Sequence, residues 1–222
     1  MHLTKYLIKE MNRVKRLNLI NSITGIKPAN LIGSSSVKYG DNLAIFSSVV
    51  HLGSDPALLG FISRPSQDVP RHTLRNIYEN NVYTINHVNT NQIMRAHYTS
   101  AKMYDQDSEF EKCHFTPEYI DGFNAPFVKE AKVKIGLELK ESIPIKSNNT
   151  VMIVGEIQHI FIPEEAITEQ GYLRLDKIDA TGISGLNSYY SFNYLNSFPY
   201  ARKKDLETLN LKLSDEKATS TS

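Results

Sequence analysis

The segment Lys132–Lys140, KVKIGLELK, alternates apolar and polar positions without a break, with Val133, Ile135, Leu137 and Leu139 on one side. A period of two is the signature of a β-strand with one face turned to a core. One strand leaves its backbone N–H and C=O groups unpaired, so the rest of the chain must supply a sheet. Pro28–Ser36 (PANLIGSSS) is apolar in its centre. Lys38–Asp41 reads as a hairpin turn in which Gly40 provides the flexible backbone. Leu43–Leu52 (LAIFSSVVHL) is rich in β-formers and is expected to return along the first strand. Gly53–Pro56 is a second turn and Ala57–Ser63 a third strand, so these three segments read as an antiparallel meander. Val82–Val88 and Val151–Ile162 add further strands, the second with a bulge or bend at Gly155.

Helices are expected around this sheet. Leu3, Tyr6, Leu7, Met11 and Val14 give residues 3–16 the spacing of one amphipathic helix, with a short helix or turn from Leu19 to Ile23 ending at Gly25. Thr73–Asn80 puts Leu74, Ile77 and Tyr78 on one helical face, with Thr73 at the cap or in the first turn. Gln92–Met103 places Ile93, His97, Tyr98 and Ala101 in helical register. Arg64–Pro70 holds two prolines and reads as a loop, as do residues 104–127. About six strands without regular crossover helices argue against a doubly wound parallel sheet. The expectation is a mainly β fold, a closed or partly closed β-barrel with peripheral helices. A single domain over residues 1–200 fits the length, followed by a polar tail, 201–222, whose end is expected to be disordered.

Charge and composition narrow the function. The formal net charge is +1, so nucleic acid is not expected as a partner; the cluster Arg13, Lys15 and Arg16 reads as a solvated helix face. No run approaches the roughly 20 apolar residues of a membrane span. Charges interrupt the N-terminal ten residues too early for a signal-peptide core, which points to the cytoplasm. The single cysteine, Cys113, excludes an intramolecular disulfide and reads as a small buried residue rather than an activated thiol.

Searches for chemistry are mostly negative. GxGxxG, GxxxxGK[ST] and HExxH are all absent. His51, His72, His87 and His97 either converge in space or stand apart; none has tight metal-ligand spacing, so no metal site is assigned. One constellation is richer. Ser34–Ser36, Ser47–Ser48, Ser63–Arg64 and Arg71–His72–Thr73 all fall at strand ends or at a helix start. Together they offer hydroxyls, guanidinium groups and unpaired backbone N–H groups, the set a phosphate monoester needs.

Several of these segments resemble the flavin reductase-like, FMN-binding split-barrel family. Gly40-Asp-Asn-Leu-Ala-Ile-Phe-Ser-Ser48 resembles its G-x-N-L-A-x-[FY]-S pattern, and Ser54-Asp55-Pro56 with the apolar run after it its next strand. Arg71-His72-Thr73-Leu-Arg-Asn76-Ile77 resembles its basic-Asp-Thr-x-x-Asn-[IV] motif, followed by Val82–Asn86 as the next strand. Ser108-Glu109-Phe110 matches a short helix, Gly155-Glu156 a late V-G-x-[IV] strand, and Gly185 to Tyr189 and Tyr190 a closing Gly-x-x-x-Tyr element. The likeness spans roughly residues 17–195. It departs at His72, where the family has Asp, and at Arg71, where lysine is common.

The resemblance implies an FMN-binding split barrel that acts as a homodimer. Asn42, Leu43 and Ala44 would present backbone groups to the flavin ring, with Ser47 and Ser48 by the ring or ribityl chain. Ser63, Arg64, Arg71 and Thr73 would face the phosphate, and Tyr189 or Tyr190 would approach the ring. It further implies hydride transfer from NADH or NADPH through FMN to flavin or another small acceptor, with no catalytic acid or base assigned. The alternative is an FMN-carrying electron-transfer protein that makes little use of NAD(P)H. A β-barrel binding module without flavin is a third reading.

Overall fold

A computed structural model of the chain describes residues 1–65, 71–104, 107–203, 205, 206 and 209. Thr4 caps α1 (Lys5–Glu10) through its hydroxyl, and Asn12 caps α2 (Arg13–Ser22) by accepting from the N–H groups of Val14 and Lys15. The single helix expected over 3–16 is therefore two. Met11 is extended, and the Asn12 side chain competes for the backbone donors, which ends one helix and starts the next. Neither helix buries a residue.

The strands follow: β1 (Lys27–Pro28), β2 (Asn30–Ser36), β3 (Gly40–Phe46), β4 (Val50–Ser54) and β5 (Ala57–Ser63). Gly40 has a φ of 75°, the left-handed backbone its turn requires. Then come α3 (His72–Asn80), β6 (Val82–His87), α4 (Ile93–Tyr98), α5 (Glu109–Lys112), β7 (Pro117–Ile120) and β8 (Phe123–Val128). The long hairpin β9 (Lys134–Ile145) and β10 (Thr150–Phe161) and the short β11 (Thr181–Ser184) and β12 (Ser188–Ser191) complete the set.

Seven strands form one antiparallel sheet in the order β3-β2-β6-β9-β10-β5-β4. Its two edges, β3 and β4, are consecutive in the chain and only three residues apart, yet they do not pair. The barrel is thus split along a seam, and Ser47–Val49 cross it. Smaller sheets, β1-β11-β12 and β7-β8, flank it.

The seam corrects two expectations. Leu43–Leu52 is not one strand: the Ser48 hydroxyl accepts from the Ile62 N–H (3.0 Å) and donates to the Ile62 C=O (3.3 Å), which takes the chain from the β2 side to the β5 side. Nor do the first three segments form a meander, because β5 pairs with β4 and β10 instead of lying beside β2 or β3. The helix expected over Gln92–Met103 ends at Tyr98, where the Thr99 hydroxyl donates to the Ala96 C=O at 2.8 Å. Residues 104–127, read as loop, contain α5, β7 and the start of β8. The six residues of β8 include four consecutive buried ones, Ala125 to Val128, which a strict alternation test passes over.

Both faces of the sheet are buried. Ile32, Phe61, Ile77, Tyr83, Ile85, Leu137 and Ile153 form one cluster, and Leu31, Leu43, Val88, Phe110 and Phe115 belong to another. The bulge expected at Gly155 is present, as a register shift between Val154 and Gly155. A Cβ at Gly155 would lie 2.3 Å from the Tyr83 hydroxyl, so the strand can pass this buried ring only as glycine.

The chain divides into two compact units, Met1–Phe192 and Asn193–Ser222. In the second, the Tyr194 hydroxyl donates to Ser197 Oγ at 2.9 Å. Most of the tail expected to be disordered lies outside the described residues. Among the described residues, no helix is long and apolar enough to cross a membrane.

Candidate functional site

A cleft of about 1000 Å³ opens at the seam of the barrel. Four pieces of chain meet there: β3, the β3–β4 crossing, the end of β5 and the start of α3. The resulting wall carries Asn42, Ala44, Ser47, Ser48, Ser63, Arg64, Arg71 and Thr73. These are eight of the ten residues expected from the sequence, drawn from segments up to 31 positions apart. The sheet order explains the convergence, since β3 and β5 approach through the split rather than through pairing.

The polar end of the cleft is built around α3. Its cap position is Arg71, whose side chain has no acceptor and makes no capping hydrogen bond, and its first turn holds no acidic residue. A helix start of this kind favours an anion. The Arg71 Nε donates to the Pro65 C=O at 3.0 Å, which fixes one edge of the guanidinium. The site is anchored from behind by buried polar groups: Asn42 Nδ2 donates to Thr73 Oγ1 (2.9 Å) and to Ser34 Oγ (3.4 Å), and Asn76 Nδ2 also reaches Ser34 Oγ (3.4 Å). Asn42, Thr73, Asn76 and Ser34 are all buried, so β2, β3 and α3 are locked together under the cleft floor.

Two expected residues stand behind the wall. Leu43 is fully buried in the core, and its N–H donates to the Glu109 carboxylate at 3.3 Å. Tyr189 packs edge-on against His97, with its hydroxyl 3.1 Å from His97 Nδ1, and His97 is the one that lines the cleft. The four histidines considered for metal lie on β4, α3, β6 and α4, and no metal-holding group of His, Cys, Asp or Glu occurs among the described residues. Burial pushes the His87 imidazole down to about 4. Cys113 is buried, and desolvation followed by the Glu109 charge pushes its thiol up.

Sequence reasoning missed Glu109, Lys27 from β1, the segment from Thr99 to Tyr104, and Gly185–Asn187, all of which line the cleft. Glu109 had a signal in the Ser-Glu-Phe match, but no role was drawn from it. Its carboxyl is buried at the cleft, and desolvation raises its pKa above the usual carboxylate range, opposed by the hydrogen bond from Leu43. A raised folded-state pKa means the group's contribution to stability is present at acid pH and lost as pH rises through that value. The expected result is that Glu109→Gln, which keeps an acceptor for Leu43 and cannot ionise, removes this loss as pH rises above the ordinary carboxylate range. Denaturation midpoints across pH check it; profiles of the two proteins that run parallel would exclude Glu109 as the titrating group.

Comparison with known proteins sets this geometry in context. The family model of the flavin reductase like domain matches residues 26–178. A split-barrel-domain protein from Shewanella frigidimarina, named as a candidate flavin reductase, is 43% identical. That match covers 90% of this chain and 100% of the other, with a TM-score of 0.86. Nitrilotriacetate monooxygenase component B from Bacillus cereus has a TM-score of 0.77 at 18% identity, over 89% of this chain and 98% of its own. Flavoredoxin of Desulfovibrio vulgaris has a TM-score of 0.69 at 20% identity, over 79% and 92%. The last two are similar in fold alone.

Proposed function

The chain belongs to the flavin reductase-like domain family, and from that premise we propose that it binds FMN in the seam cleft and works as an NAD(P)H-dependent oxidoreductase. The observation that carries this reading is that Ser47, Ser63, Arg64, Arg71 and Thr73, the last two at the start of α3, which has no side-chain cap, line one cleft of about 1000 Å³. That volume stands at the upper end of the roughly 300–1,000 Å³ usual for small-molecule sites. The donor set suits a phosphate monoester, and the half-buried apolar wall of Ile45, Phe46 and Met103 suits a flat ring.

FMN, when bound, supplies the redox chemistry, accepting hydride from a nicotinamide and passing electrons to flavin or another small acceptor. The chain's own part is binding and orientation. Arg64 and Arg71 neutralise the phosphate, Ser47 and Ser63 donate hydroxyl hydrogen bonds, and the first N–H groups of α3 complete the cradle. Ser48 holds the crossing in place through Ile62, and Asn42 holds α3 against β3, so the cradle is organised before any ligand arrives. Asn42 and Ala44 carry β3 along the ring side of the cleft. Tyr189 supports this wall through His97, and Leu43 through the core.

The same reading includes a homodimer and a cytoplasmic location. Tyr6, Leu7, Val14 and Ile23 are exposed on or beside helices that bury nothing in one chain, which supports a second copy covering them. The test is spectroscopic. The chain mixed with FMN is expected to quench flavin fluorescence, and NADH or NADPH added without air is expected to bleach the bound flavin within seconds. A bound flavin reduced by dithionite and indifferent to millimolar NADH and NADPH would replace the reductase by an electron carrier. No quenching at all would leave a binding module without flavin.

A further inference from the structure

The fold divides the basic cluster Arg13, Lys15 and Arg16. A second pocket of about 460 Å³ lies beside the cleft, lined by Arg13, Arg16 and Arg64 with Leu17, Ile20 and Leu186. Residues 13, 16, 17 and 20 share one face of α2 by helical period, and Lys15 falls off that face. Ile20, Arg64 and Leu186 also line the main cleft, so the two spaces adjoin. Among the described residues, no Asp or Glu lines the smaller pocket and none of its three arginines is in an ion pair. Arg16 is held in position by the hydrogen bond from its Nη1 to the Lys9 C=O at 2.6 Å.

Three guanidinium groups around one hollow repel each other, and the described residues of its lining include no carboxylate to offset that repulsion. An anion entering the hollow relieves it. Arginine forks match phosphate oxygens in pairs, and Leu17, Ile20 and Leu186 give a flat apolar group a surface to rest on. Arg64 belongs to both spaces. In the reading above it faces the phosphate of a mononucleotide in the cleft, so a phosphate chain longer than one unit leads into the smaller pocket.

We propose that Arg13, Arg16 and Arg64 form a phosphate subsite for the adenylate half of a dinucleotide whose other half occupies the cleft. The proposal rests on the flavin reading of the cleft. Two sources carry that chemistry: the AMP portion of FAD, which is FMN joined to AMP, and the phosphorylated adenylate of NADPH.

The test is titration calorimetry of the full chain with AMP and with inorganic phosphate, with and without saturating FMN. Wild type is compared with Arg13→Gln and with the double variant Arg13→Gln/Arg16→Gln. AMP is expected to bind wild type with FMN present, and Arg13→Gln to weaken it about tenfold, the effect of one charge-assisted contact. FMN affinity is expected to stay unchanged. Arg13→Gln serves as the milder variant, since Arg16 also joins α2 to Lys9. If the substitutions abolish a preference for FAD over FMN, the flavin is the source; if they raise the KM for NADPH and spare NADH, the nicotinamide is. AMP binding that is absent, or lost on adding FMN, or equal in all three proteins, overturns the subsite. Arginine-dependent AMP binding by a chain that takes up no FMN keeps the subsite and removes the flavin reading.

Discussion

Arg71→Ala is expected to weaken FMN binding by about ten- to hundredfold and to leave riboflavin binding nearly unchanged, because a charge-assisted hydrogen bond to phosphate is worth roughly 1.5–3 kcal/mol. The two flavins differ only in that phosphate, so their ratio isolates the contact from damage to the fold. Arg71 bonds to α3 only through its backbone C=O, which accepts from the Arg75 N–H at 2.9 Å, and its side chain spends Nε on the Pro65 C=O. Its removal therefore costs the helix little of its own hydrogen bonding. Fluorescence-quenching titrations with both ligands measure the ratio. Equal losses would make Arg71 a brace for the chain around Pro65 rather than a phosphate contact.

His72 enters the same argument. The resemblance puts an aspartate here, and the structure makes this residue the first of α3 and part of the cleft wall. A carboxylate there would favour the helix start and oppose a neighbouring phosphate. The histidine removes that negative charge from the first turn, which is consistent with an anion site of higher positive charge, alongside arginine where lysine is common.

Much of the fold was legible because strands announce themselves by period and turns by residue type. Ala57–Ser63 matches β5 residue for residue, and Gly40 and Gly155 mark the turn and the bulge assigned to them. What failed was the question of which strand lies beside which. Leu43–Leu52 is a continuous run of β-formers, and nothing in its local pattern reveals that Ser48 will bond to Ile62 and send the second half to the opposite edge. That partner lies 14 residues away and is met only in the folded chain. The site was more legible than the topology for the same reason. Hydroxyls, arginines and a helix start can be recognised one segment at a time, and the seam gathers them afterwards. Tyr189 shows the limit of this approach, since a short motif fixes the element but not the direction of a side chain. Glu109 was overlooked because a lone carboxylate on a four-residue helix resembles any solvated acid until its burial is known.

The bond between Asn42 and Thr73 is expected to hold both stability and ligand geometry. Asn42→Leu keeps the volume and removes both donors, leaving Thr73 Oγ1 and Ser34 Oγ to find other partners in a buried site. Leaving one such group unsatisfied costs about 1–3 kcal/mol, so a loss of this size is expected in denaturant unfolding. Thr73→Val removes the acceptor instead and strands the Asn42 amide, which still reaches Ser34 at 3.4 Å, so its cost is expected to be smaller. Because the two residues share one bond, the double variant is expected to cost less than the sum of the singles, by about 0.5–3 kcal/mol as coupled neighbours do. The functional consequence runs through α3. Asn42 is the tie that presses the first turn of the helix against β3, so its loss displaces Thr73 and Arg71 together relative to Ser63 and Ser47. FMN is then expected to lose more affinity than riboflavin even though Asn42 reaches the cradle only through Thr73. Additive stabilities in the cycle, with an unchanged FMN to riboflavin ratio, would show that β3 and α3 are held by packing alone and that the phosphate cradle does not depend on this bond.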